Sequence, residues 1–173
     1  MRSDPAEFAE FYQASRDDCL RTVVASTGDW QAAEDAVAEA FARAWARWPT
    51  VRKHPAPAAW VVRTALNVNV SWWRRRRREV PLPDSWPALA SQPEPDRAGA
   101  GALAATTVIA ALRRLPARQR EVIALRAFLD LDTARTAAVL GIAPGTVTAH
   151  MARAVAALRA DLADSDARQE MTR

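Results

Sequence analysis

Helical periodicity, broken at one proline-rich stretch, constrains this chain most. The period-two alternation of a half-buried strand is nearly absent, and Gly and Pro are sparse outside a few places. The stretch 80–101 differs. It carries Pro81, Pro83, Pro87, Pro93, Pro95, Gly99 and Gly101 and sustains no period. Proline fixes φ and removes a backbone donor, so this stretch reads as a linker. The expected fold is all-α, with two small helical domains joined by a Pro-rich linker. The expected boundaries are 4–79, 80–101 and 102–163, with 164–173 a disordered tail. Half of the residues are apolar, which is enough for a packed core and argues against wholesale disorder.

In the first unit a helix is expected from about Asp4 to Ser26, with Pro5 near its first turn. Asp29 can N-cap a second helix that runs to about Trp48 and stops at Pro49. Its apolar line is Trp30, Val37, Phe41, Trp45 and Trp48. A loop follows from Pro49 to Pro57 and carries Arg52, Lys53 and His54. Cys19 stands alone among Phe8, Phe11, Tyr12, Leu20 and Val23, and reads as a small buried residue.

The third long helix, Ala58–Arg78, ends in five consecutive arginines. Ala59, Val62, Leu66, Val70 and Trp73 make its apolar stripe. Trp60, Arg63, Asn67, Ser71, Arg74 and Arg78 share a second face. Cations for phosphates, an aromatic for an unstacked base and an amide for a base edge are what a single-strand groove needs. The alternative is a solvated basic face, with tryptophans that fill core. From Arg43 to Arg78 there are ten Arg or Lys and no Asp or Glu, although the net charge of the chain is only +4. Such a tract calls for an anionic partner.

In the second unit helices are expected over Ala102–Arg114, Ala117–Phe128, about Asp132–Leu140 and Pro144–Asp161. Thr133–Arg159 has the grammar of a helix-turn-helix. Gly141 can take the left-handed conformation that the turn requires, and Ile142 plugs the space between the helices. Val147, Met151, Val155 and Leu158 bury one side of the second helix. Thr146, Ala149, His150 and Arg153 face outward, where a major groove could lie. Arg113, Arg114, Arg118 and Arg120 just upstream could hold phosphates.

Other classes fit less well. No catalytic or metal-binding motif is present, and the two histidines fall in different units, so no catalytic residue, metal or cofactor is expected. The N-terminus lacks a signal-peptide pattern, and the longest uncharged run, Ala98–Leu112, is too short to span a bilayer. A cytoplasmic protein without membrane insertion is expected. A peripheral membrane protein that uses Trp72, Trp73 and the arginines is one alternative. A helix-turn-helix regulator that acts on duplex DNA without polymerase is another.

The two halves together resemble a known family. W-V-V-R-T-A-L-N followed by W-W-R-R-R, a Pro-rich linker, and L-R-R-L-P-A-R-Q-R-E-V followed by L-G-I-A-P-G-T-V are similar to extracytoplasmic-function (ECF) sigma factors of the sigma-70 family. The S-W-W-R-R-R-R-R-E block is most similar to their sigma-E-like actinobacterial group. The resemblance covers roughly Glu7 to Leu162. It implies that the first domain is sigma region 2, a three- or four-helix unit that binds core RNA polymerase at the β′ clamp helices through Glu34, Asp35 and Glu39. It implies −10 recognition and melting by the loop from Trp48 to Pro57, with Arg52 and Lys53, and by Trp60, Arg63, Asn67, Arg74, Arg77 and Arg78. It implies that the second domain is sigma region 4, which reads the −35 element through Thr146, Thr148, His150 and Arg153 and docks on the β flap. An anti-sigma factor and a monomeric free state follow from the same resemblance. Two departures stand out: Thr148, Ala149 and His150 follow G-T-V where more basic residues are common, and Arg135 replaces a common acid.

Overall fold

The structure, a computed structural model, describes residues 4–79 and 108–170, and for residues 72–79, 162 and 164–170 it describes the backbone alone. The linker 80–101 and the start of the helix expected at Ala102 lie outside the described residues. Every element among the described residues is an α-helix.

Helix α1 spans Pro5–Thr27. Asp4 is extended, and its carboxylate accepts from Ala6 N–H at 2.9 Å while Pro5 opens the first turn. The helix closes at Gly28 (φ 74°), whose N–H donates to Val24 O at 2.7 Å. A left-handed cap favours glycine, and here a Cβ would also stand 2.9 Å from Arg113 Cγ. Helix α2 spans Trp30–Ala46, and Asp29 accepts from Ala32 N–H at 3.0 Å, as its position predicts. Helix α3 is one turn, Trp48–Val51, and α4 spans Pro57–Glu79.

Pro49 does not end α2. The chain breaks at Arg47 (φ −118°, ψ 20°), and Pro49 sits in the first turn of α3, where no N–H is needed. The expected loop thus shrinks to residues 52–56. Trp48 lies at 3% exposure, with its ring 5.1 Å from Phe8 and 5.0 Å from Phe11. It fills core.

The buried face of α4 is also broader than the expected stripe. Ala59 and Val62 are buried, but so are Val61, Ala65 and Val68, and Val70 is 46% exposed. The reason is that α4 packs on both α1 and α2, so a wide arc is covered. The alanines Ala33, Ala36, Ala40 and Ala44 of α2 are buried in the same cluster, and their small side chains let the helices approach closely.

In the second half α5 covers residues 108–114, α6 spans Ala117–Phe128, α7 spans Thr133–Leu140 and α8 spans Pro144–Glu170. Pro116 is the N-cap of α6, one position before its first turn. The expected disordered tail is helical through Glu170. The stretch 162–170 holds no Gly or Pro to stop it, and Ala, Leu, Arg and Gln favour helix.

The two halves share apolar packing. Leu125 of α6 is fully buried and Leu131 nearly so, in the same cluster as Val23, Val37, Phe41 and Val62. In return, Ala25 of α1 sits among Leu112, Leu115, Ile123 and Ala124. Leu125→Ala should cost about 2–5 kcal/mol.

Cys19 is fully buried, as expected, and its thiol donates to Ala58 O at 3.7 Å. Burial pushes its pKa from 9.0 up to about 12, with the negative charge of Asp18 adding to the shift. The thiol should resist alkylation in the folded protein and react once urea unfolds it. Its folded pKa is raised, so its stabilising contribution is complete below pH 9 and is lost as pH rises toward 12. The loss is about 1.4 kcal/mol per pH unit. Urea melts of wild type and Cys19→Ala between pH 8 and pH 11 should diverge in slope above pH 9. Parallel curves would mean that the thiol is not shielded.

Candidate polymerase and nucleic-acid interfaces

Glu34, Asp35 and Glu39 lie on α2, and they do not behave alike. Glu34 and Asp35 line a groove of about 250 Å³ between α1 and α2, together with Tyr12, Arg16, Leu20 and Phe41. Tyr12 is 38% exposed and stands edge-on to Phe41 at 4.8 Å. Glu39 instead accepts from Arg43 Nε at 2.8 Å, the i,i+4 pair that its spacing allows. Sequence reasoning missed that Tyr12 and Arg16 line one groove with the acids. Their i,i+4 spacing on α1 marks one helix face, but nothing local says which helix lies opposite.

Around α4 the expected cluster is partly assembled. Asn67 and Arg63 are exposed, while Trp60 is half-buried and packs against the core. Ser71 donates to Asn67 O at 3.0 Å. Arg52 pairs with Glu7 at 3.4 Å, and Lys53 is exposed beside it. Only the backbone is described for Arg74, Arg77 and Arg78. Arg63 Nη1 donates to Ala138 O of α7 at 3.2 Å, which ties the first unit to the helix-turn-helix.

The helix-turn-helix forms as its sequence predicts. Gly141 is left-handed (φ 66°), and Asp132 caps α7 by accepting from Arg135 N–H at 2.7 Å. Ile142 packs against Val122, Ala137 and Val147, and Val147 is 1% exposed. Thr146, Thr148, Ala149 and Arg153 are exposed on α8. His150 departs from this face: it is half-buried, and its Nδ1 is enclosed. Ala154 is fully buried, so the covered side of α8 is wider than the expected line of Val147, Met151, Val155 and Leu158.

The four upstream arginines are engaged within the chain. Arg114 pairs with Asp161 and Arg118 with Glu121, each at 2.8 Å. Arg113 donates to Gly28 O, and Arg120 Nε donates to Ser26 O at 2.8 Å. Burial lowers the Arg120 pKa; Glu121 opposes that shift and Arg113 adds to it.

Comparison with known proteins agrees with this arrangement. The family models Sigma-70 region 2 and Sigma-70, region 4 match residues 11–79 and 106–158. The RNA polymerase sigma-E factor of Streptomyces coelicolor is 34% identical over 168 residues, which cover 94% of this chain and 90% of that protein. The ECF RNA polymerase sigma factor SigL of Mycobacterium tuberculosis is 36% identical over 138 residues, covering 79% and 77%. Among solved structures, the sigma factor RpoE in complex with the anti-sigma factor NepR from Bartonella quintana superposes with a TM-score of 0.77 at 26% identity. That match covers 90% of this chain and 96% of RpoE. The structure of CnrH in complex with the cytosolic domain of CnrY shares the fold, with a TM-score of 0.64 at 24% identity over 95% and 92% of the two chains.

The chain belongs to the sigma-70 family of RNA polymerase sigma factors, in its extracytoplasmic-function group. It acts as a sigma factor that directs promoter-specific transcription initiation, and the family is not a class of enzymes. No described helix is long and apolar enough to cross a membrane.

The Glu39–Arg43 pair is exposed on both sides and should matter little to folding. Glu39→Gln is expected to change the unfolding free energy by no more than about 0.5 kcal/mol in a urea melt. A loss of several kcal/mol would make Glu39 a folding residue and remove it from the binding surface.

Proposed function

We propose that the α1–α2 groove is the seat of core RNA polymerase and that α4 and α8 read the −10 and −35 elements. The observation that carries the first part is that Glu34 and Asp35 line one groove with an exposed aromatic, Tyr12. Acidic rims steer a basic partner, and Tyr12 offers a rigid apolar contact. Glu39 stands at the edge of this surface. The partner's contact face should therefore be helical and basic, as the clamp helices of the family's polymerase are expected to be. Region 4 docks on the β flap in the same reading. The protein works in the cytoplasm, where its polymerase is, without cofactor or metal. An anti-sigma partner is supported by the RpoE–NepR complex, whose sigma chain this one resembles over nearly its whole length.

For the −10 element, Arg63, Asn67, Arg52 and Lys53 supply the exposed polar groups. Trp60 presents only part of its ring, so its stacking surface is limited. The arginines Arg74, Arg77 and Arg78 extend the basic tract along α4. Neighbours on a helix point about 100° apart, so two or three of them can follow one phosphate backbone. For the −35 element, Thr146, Thr148 and Arg153 are accessible. The enclosed Nδ1 leaves His150 a smaller part than its sequence position suggests.

Two measurements test this reading. Asp35→Lys should weaken binding to core polymerase at least tenfold while the circular dichroism of the free protein stays unchanged. Unchanged affinity would remove the groove from the interface. Arg153→Ala should cost about 1–3 kcal/mol of −35 binding if the guanidinium is bidentate to a guanine. Loss confined to one base pair in a panel of −35 variants means direct readout, and parallel loss means phosphate positioning. No loss would mean that this face of α8 does not meet DNA.

A further inference from the structure

Helix α7 carries a cation where its own electrostatics disfavour one. The first turn of a helix bears partial positive charge, so acidic side chains suit it and basic ones oppose it. The first turn of α7 holds no acid, and Arg135 stands there. Asp132, the cap, offsets this only weakly. Its Oδ1 accepts from Arg135 N–H at 2.7 Å, while its Oδ2 stays 3.8 Å from Arg135 Nε. The two side chains are 57% and 62% exposed, and an exposed pair of that length adds little. A residue that breaks a local rule without compensation inside the fold points to a partner outside it.

The neighbouring cations narrow the kind of partner. Arg113, Arg114, Arg118 and Arg120 are engaged within the chain, and Arg126 donates to Leu131 O at 2.9 Å. On α8 the exposed side chains before Arg153, Thr146, Thr148 and Ala149 among them, carry no charge. In a helix-turn-helix the second helix enters the major groove while the first crosses the sugar–phosphate backbone. Phosphate contacts fix the register and supply the affinity that does not depend on sequence. Here the reading helix brings little charge of its own. Arg135 is exposed on the helix that crosses the backbone.

We propose that Arg135 is a phosphate anchor. When α8 lies in the major groove, α7 crosses the backbone and the Arg135 guanidinium pairs with a phosphate oxygen. Positioning then comes from the first helix of the pair and readout from the second. The anchor rests on the −35 reading of α8 given above. Arg135 is a positioning residue and reads no base. Because it sits against the helix dipole, it strengthens binding while leaving the free protein slightly less stable than a neutral residue would.

The test uses the full chain with core polymerase, on a promoter fragment found by run-off transcription. Arg135→Gln should make the slope of log K against log salt shallower by about 0.9. Between roughly 50 and 200 mM salt its affinity should therefore fall about threefold less than that of wild type. Its order of preference across a panel of −35 variants should stay unchanged. Arg135→Lys, which keeps the charge, should restore the slope. In a urea melt the free Arg135→Gln protein should unfold at no lower midpoint than wild type. An unchanged slope, or a loss confined to one base pair, overturns the anchor. A midpoint well below wild type overturns it as well, since Arg135 would then be a folding residue. If Arg135→Gln is silent while Arg153→Ala weakens binding, the anchor alone falls. If both are silent, the −35 reading of α8 falls with it.

Discussion

The packing of α6 against the second half of α1 is the contact on which the described structure depends. It buries Leu125 in a cluster with Val23, Phe41 and Val62, and it sets Ala25 among Leu112, Leu115 and Ile123. Each half thereby completes the other's apolar surface. Small helical units expose much of their surface, so such sharing adds stability that neither would reach alone. The same contact brings Arg120 to the carbonyl end of α1 and, through the neighbouring α4–α7 contact, Arg63 to Ala138.

Much of the fold was legible in the sequence because its signals are local. Asp4, Asp29 and Asp132 each accept from a first-turn N–H, and Gly141 makes the left-handed turn its position requires. The outward face of Thr146, Ala149 and Arg153 follows from helical period once Val147 is buried. Pro49 misled because proline stops a helix and also starts one. Only the break at Arg47 tells which role it plays here. The stripe of α4 came out too narrow because a sequence cannot say that two helices grip it.

What the sequence hid is mostly nonlocal. Arg113 and Arg120 look like phosphate ligands, since a run of arginines before a helix-turn-helix has that composition. Their partners are backbone carbonyls 85 and 94 residues away, which carry no residue-type signature. The groove lined by Tyr12, Arg16, Glu34 and Asp35 is hidden in the same way, for it exists only once α1 lies beside α2. Trp48 stands on the expected apolar line of the second helix and at the start of the loop that the resemblance assigns to base capture; its ring packs on Phe8 and Phe11, aromatic partners nearly forty residues away in the chain.

Three regions of one small chain serve one task. As proposed, an acidic, aromatic groove meets the polymerase, a basic helix meets the strand to be opened, and a helix-turn-helix meets the upstream duplex. The most direct measurement of that claim is run-off transcription from genomic fragments by core RNA polymerase, with and without the purified protein. Discrete transcripts from a small set of start sites, dependent on the protein, are the predicted result. Core enzyme that gains no start-site specificity would contradict the account.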